Sequence, residues 1–227
     1  MNAINFEHFS QDALKKMPNR YRARFVNSLS GYKSANLIAT QDTNGKTNLA
    51  IFSSVVHLGA NPALIGFIMR PDNNDRETLN NIISTTHYTI NQVSTAFYRA
   101  AHQSSARYES SVSEFNATGL SPQYIEGINA PFVEQSQLKY GMTLREILPI
   151  KLNNTQLIIG EISHVICAQN AVQDDGYIDI ESLQTVSVSG LDSYHRTSRL
   201  ARLSYAKPEM CSSELNLAGL KIETGNK

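Results

Sequence analysis

The sequence predicts a mainly β domain: an antiparallel barrel, closed or half closed, that carries a few helices. Three observations predict it. Apolar stretches of strand length recur along the chain and are separated by short polar turns. Helical patterns are few and do not alternate regularly with strands, as a doubly wound α/β sheet would require. The longest apolar runs, residues 63–69 and 157–162, have strand length. They fall far short of the roughly eighteen residues of a membrane span.

Residues 6–29 read as helix, because Leu14, Met17, Tyr21 and Phe25 recur at helical spacing with Lys15, Lys16, Arg20, Arg22 and Arg24 on other faces. Gly31 closes the segment. Residues 36–40 form a strand that ends at Asp42-Thr43-Asn44-Gly45, a hairpin signal, and residues 48–56 are the returning strand. Residues 63–69 follow Asn61-Pro62 as a buried strand. After a polar loop, residues 76–84 form a short helix with Asp75 as its cap and Leu79, Ile82 and Ile83 on one face. Residues 87–93 alternate as a strand. Residues 95–115 are a Ser-rich helical or irregular excursion. Two long segments, 137–150 and 155–168, are joined by a turn at Asn153-Asn154. Residues 177–180 and then 191–205 are expected to complete the barrel.

Composition narrows the function. The 227 residues hold 20 Lys and Arg against 20 Asp and Glu, a net charge of zero. A nucleic-acid binder usually carries a basic excess or face, so none is expected as partner. No membrane association is expected either, and the N-terminus lacks the basic head and apolar stretch of a secretory signal, so a cytoplasmic address is expected. Cys167 and Cys211 make neither a disulfide framework nor a CxxC pair. Cys167 ends an apolar run and reads as a small core residue. The six histidines are scattered, with none at a metal-ligand spacing. The chain contains no GxGxxG, GxxxxGK[ST], GxSxG or HExxH pattern.

The informative stretch is residues 47–78, TNLAIFSSVVHLGANPALIGFIMRPDNNDRET. Ser53 and Ser54 end a strand and offer hydroxyl and backbone donors. Arg76 stands at a helix start, where free N–H groups and the dipole favour an anion, and its guanidinium can grip phosphate oxygens in a fork. Thr78 adds a hydroxyl in the same turn. Asn48 is donor and acceptor at once, as the polar edge of a heterocycle requires. Singly, each has a structural reading: two serines after a strand, or a solvated arginine. Arg70 either reaches the same anion or pairs with Asp72 or Asp75. The residues by themselves reach a β-rich domain with an anion site.

The order DTNGKTNLAIFSSV, NPALIGF, RETLNNI, YTIN resembles the flavin reductase-like family of FMN-binding split β-barrels. SEF and TGL within residues 97–120, and IIGEISHV, are similar to further segments of that family. The similarity covers residues 20–208. No Pro/Gly/Ser-rich linker divides the chain, so one domain is expected over residues 1–227, with a helical N-terminal arm at 1–30 and a tail at 209–227. The family resemblance implies that Asn48, Ala50 and Ile51 line a flavin ring, and that Phe52, Ser53 and Ser54 hold the ribityl chain and phosphate. Arg76 and Thr78 complete the phosphate grip, while His102 and Ser104 lie in a loop that approaches the flavin. Two departures stand out: Ile51 replaces a usual Pro, and Arg76-Glu77-Thr78 replaces Lys-Asp-Thr, keeping charge and hydroxyl.

The implied activity is hydride transfer from NADH or NADPH to FMN and on to an unknown electron acceptor. No catalytic acid or base is then required, because the cofactor carries the chemistry. The alternative is an electron carrier or flavin store without its own nicotinamide activity. A homodimer with flavin near its interface is implied. The basic segment 190–208, with Arg196, Arg199, Arg202 and Lys207, is either a strand with a solvated edge or a region near flavin or partner subunit.

Overall fold

A computed structural model describes residues 4–71, 77–109 and 111–222. The N-terminal arm is two helices, α1 (Gln11–Lys16) and α2 (Asn19–Leu29), rather than the single helix its spacing predicts. Pro18 separates them, since it has no N–H to continue the ladder and biases Met17 to extended backbone. Ser10 caps α1 by accepting from the Ala13 N–H.

The strands follow as β1 (Lys33–Ser34), β2 (Asn36–Gln41), β3 (Thr47–Phe52), β4 (Val56–Ala60) and β5 (Ala63–Met69). Next are α3 (Glu77–Thr85), β6 (His87–Gln92), α4 (Tyr98–Gln103), α5 (Glu114–Thr118), β7 (Pro122–Gln123) and β8 (Phe132–Val133). The two long strands are β9 (Leu138–Ile150) and β10 (Thr155–Cys167). Then come β11 (Val186–Ser189), β12 (Ser193–Arg196), β13 (Arg202–Leu203) and β14 (Glu214–Leu215). The turn between β2 and β3 is built by Asp42, whose Oδ1 accepts the N–H groups of Asn44 and Lys46. Gly45 takes the left-handed backbone that this tight return needs.

Seven strands form one antiparallel sheet in the order β3-β2-β6-β9-β10-β5-β4. Its two edges, β3 and β4, are consecutive in the chain. Only residues 53–55 join them, a reach of roughly 14 Å from Phe52 to Val56. Seven strands laid flat would span about 29 Å. The sheet must therefore roll up, and its edges approach without pairing, leaving a half-closed barrel with a seam.

Alternation along the strands makes two cores. Ile38, Phe67, Tyr88, Ile90, Met142 and Ile158 fill the barrel, closed by Leu79 and Ile82 of α3. Leu37, Ala39 and Leu49 point outward onto a second core with Val93, Phe97 and Phe115 from the α4–α5 excursion. Strand β2 is therefore buried on both faces. Residues 177–180 do not finish the barrel: beyond one isolated bridge, they lie outside strands. Strands β11 and β12 instead join β1 in a separate three-stranded sheet, and Val186 and Val188 of β11 cap the second core.

The basic segment that follows is a clasp. Arg199 pairs with Asp179 and Glu181, and Arg202 pairs with Asp175. Both guanidinium groups lie over the Tyr177 ring, Arg202 at 4.2 Å from its centroid. Two of its four basic side chains are thus satisfied by neighbouring carboxylates. Cys167 is half buried against Leu138, Ala171 and Leu183, and burial pushes its thiol pKa up.

Candidate functional site

At the seam lies a cleft of about 460 Å³. One wall is the end of β3 and the crossing to β4: Ala50, Ile51, Phe52, Ser53 and Ser54. The end of β5 adds Ile68, Met69 and Arg70, and the first turn of α3 adds Thr78. The opposite wall comes from the small sheet and α4, with Val188, Leu191, Tyr194, His102 and Ser105. Chain positions almost 160 residues apart thus converge where the barrel fails to close.

Each element places its residues for a local reason. Ser54 Oγ accepts the Ile68 N–H at 3.1 Å and donates to the Ile68 carbonyl at 3.3 Å. It takes the place of a strand partner exactly where β3 leaves the sheet, and so holds the crossing against β5. Asn48 is buried behind the cleft. Its Nδ2 donates to Thr78 Oγ1 at 2.8 Å, and Asn81 Nδ2 donates to Thr40 Oγ1 beside it. This buried polar set fixes α3 against β2 and β3, and with it the Thr78 hydroxyl.

The cleft has two kinds of lining. Ser53 and Thr78 supply hydroxyl donors, Ser53 and Ser54 backbone donors and Arg70 a guanidinium, a set suited to an anion. Arg70 also donates to Asn27 Oδ1 at 3.3 Å. Lys33 stands close to it, anchored on the carbonyls of Asn27 and Gly190 and on Ser30 Oγ. Burial, and secondarily the Arg70 charge, holds the Lys33 pKa below the usual lysine range. An anion beside this pair would relieve that repulsion. The rest of the lining is largely apolar and aromatic: Ala35, Ala50, Ile51, Val188, Leu191 and Tyr194.

Of the ten residues expected from sequence, seven line this one cleft: Ala50, Ile51, Phe52, Ser53, Ser54, Thr78 and His102. Asn48 does not line it and acts through Thr78. Ser104 is buried, with its hydroxyl donating to the Ala101 carbonyl, and Ser105 lines the cleft in its stead. Arg76, and its expected cap Asp75, lie outside the described residues. Sequence reasoning missed Tyr194, Val188, Leu191 and Ala35. Tyr194 stood within the basic segment already singled out, but nothing in its local pattern pointed towards residue 102.

An open, rolled antiparallel sheet with a cleft at its seam defines a split-barrel protein. The match to known proteins names the family. The flavin reductase like domain model matches residues 29–182, and the chain belongs to that family. A crystal structure of a candidate flavin reductase with a split barrel domain, from Shewanella frigidimarina NCIMB 400, is 52% identical, with a TM-score of 0.86 over 88% of this chain and all of that one. Nitrilotriacetate monooxygenase component B from Bacillus cereus shares the fold at 17% identity, with a TM-score of 0.77 over 88% of this chain and 100% of that one. An uncharacterized protein of Aquifex aeolicus is 25% identical over 126 residues, 55% of this chain and 63% of that protein. The chain thus spans a little under two thirds of that relative's length.

Proposed function

We propose that this protein binds FMN in the seam cleft and works as an NADH- or NADPH-dependent flavin oxidoreductase. The observation that carries the reading is the mixed lining of the cleft, anion-receptive donors and apolar walls within one cavity. A flavin mononucleotide has the same division, a phosphate at one end and a flat ring system at the other. Ser53, Ser54, Thr78 and Arg70 would hold the phosphate, and Ala50, Ile51, Val188 and Tyr194 would flank the ring. Arg76, next to Thr78 in sequence, is expected to add to the phosphate grip. Bound there, FMN supplies two-electron chemistry, taking hydride from a reduced nicotinamide and passing electrons to an acceptor. The chain's own part is to orient the ring, satisfy the phosphate and keep one ring face accessible through the seam.

We further propose a homodimer. The accessible surface is 14,760 Å² for a chain of 25.2 kDa. A compact monomer of that mass exposes about 10,300 Å². The excess suits an arm and a tail that pack on a second copy.

The test is direct. Purified protein is loaded with FMN, its visible spectrum recorded, and NADH or NADPH added without oxygen. A yellow protein bleached by either nucleotide is expected. Protein that takes up no flavin would overturn the reading, and a yellow protein that neither nucleotide bleaches would make it an electron carrier or flavin store.

A further inference from the structure

The aromatic lining of the cleft contains an arrangement that flavin binding as such does not require. Tyr194 on β12 and His102 on α4 both line the cavity, and they share a hydrogen bond between the Tyr194 hydroxyl and His102 Nδ1 at 3.0 Å. Their rings meet edge to face, with centroids 5.6 Å apart and an interplanar angle of 89°. On its other side Tyr194 leans on Tyr98, centroids 5.5 Å apart. A tyrosine has two soft side-chain torsions, and this one is held both by packing and at its far tip. The residues that hold it come from α4, which packs on the second core together with Val186 and Val188 of β12's own sheet. The hydroxyl sits in partly dry surroundings: burial first, and the Asp192 charge second, push its pKa up, so it stays protonated at neutral pH.

We propose that Tyr194 is the specificity-determining wall of the slot, an aromatic face for a flat ring system, and that His102 is its positioning residue. The inference rests on the reading of the cleft as a flavin site. It assigns the aromatic and the donor lining of that cleft separate energetic roles. Tyr194 recognises the ring and is indifferent to the phosphate; Arg70, Ser53 and Ser54 recognise the phosphate and are indifferent to the ring. His102 contributes only by holding Tyr194 in place, so its effect must vanish when the tyrosine ring is gone.

Riboflavin, which lacks the phosphate, separates the two roles. Dissociation constants for FMN and for riboflavin are measured by fluorescence titration of the full chain, with no turnover involved. Tyr194→Ala is expected to weaken both ligands by a similar factor of about ten, the scale of one aromatic contact. His102→Ala is expected to weaken both by about threefold, the scale of one modest hydrogen bond. In the double variant the histidine change adds nothing further, which is the signature of coupling in a double-mutant cycle. Tyr194→Phe, which keeps the ring and loses only the tip bond, should match His102→Ala and covers the case in which Tyr194→Ala does not fold. If Tyr194 variants change FMN affinity but leave riboflavin unchanged, or if the two single effects simply add, the inference is overturned. If the unaltered protein binds neither ligand, it is the flavin reading that fails.

Discussion

Several single residues here do work that their type alone does not announce. Thr78 was expected to offer its hydroxyl to an anion, and it does face the cleft, but it also accepts the buried Asn48 amide. Thr78→Val would remove the shorter of that amide's two bonds and leave it only the 3.4 Å bond to Thr40 Oγ1, at a cost of about 1–3 kcal/mol. A fall of that size in urea-unfolding stability is expected; an unchanged midpoint would show that the amide finds another partner. Gly160 is a packing requirement rather than a turn. A Cβ there would stand 2.2 Å from the Tyr88 hydroxyl and 3.0 Å from Met142, both fully buried. Gly160→Ala should destabilise by about 1–3 kcal/mol through overpacking, and thermal unfolding would read it. In the donor lining, Arg70→Ala should weaken FMN at least about tenfold through loss of a charge-assisted contact and leave riboflavin affinity unchanged.

At the scale of elements, the β2–β3 hairpin decides the geometry of the cleft, because it delivers residues 50–54 to the seam. Its turn depends on Asp42. The Lys46 and Asn44 backbone N–H groups hold that carboxyl below the usual carboxylate range. A pKa lower in the folded than in the unfolded state adds stability at pH values above the unfolded pKa. That stability is lost as pH falls through the folded value. Asp42→Ala should therefore unfold more readily than wild type at pH 7, and the gap should close in acid. A gap that persists unchanged at low pH would mean the turn does not depend on the charge. The hairpin itself was legible, since Asp-Thr-Asn-Gly between two apolar runs has one economical solution. The same reasoning could not see that β3 stops at Phe52. Residues 53–56, Ser-Ser-Val-Val, contain no Gly or Pro to mark a break; the pairing with β2 ends at Phe52, and Ser54 turns instead to Ile68 of β5.

Taken as a whole, the molecule is one rolled sheet with a second small sheet laid over its outward-facing core. The clasp of Arg199 and Arg202 on Asp175, Asp179 and Glu181 ties residues 199–202 to the loop before β11. Surface ion pairs are screened by salt. Among the described residues, Leu200 and Tyr205 of the basic segment and Met210 of the tail are exposed apolar side chains. With the excess surface, they are the reason to expect a dimer. Sedimentation at micromolar concentration should give about twice the 25.2 kDa chain mass, and a monomer there would refute the assembly.

What the sequence by itself determined is what local pattern encodes. The strand-length runs and hairpin turns led to a mainly β, half-closed barrel with an anion site, and the family resemblance implied the split barrel and seven of the residues that line its cleft. The tertiary structure decided the rest. It left residues 177–180 outside the strands, put residues 193–196 in a separate sheet, turned Asn48 inward behind Thr78, and chose Ser105 over Ser104. It also brought Tyr194 to His102 across 92 residues. Such pairings arise because the sheet must roll to join its own edges and the second core must be capped. Both are demands of packing over the whole chain, and they leave no trace in the few residues on either side.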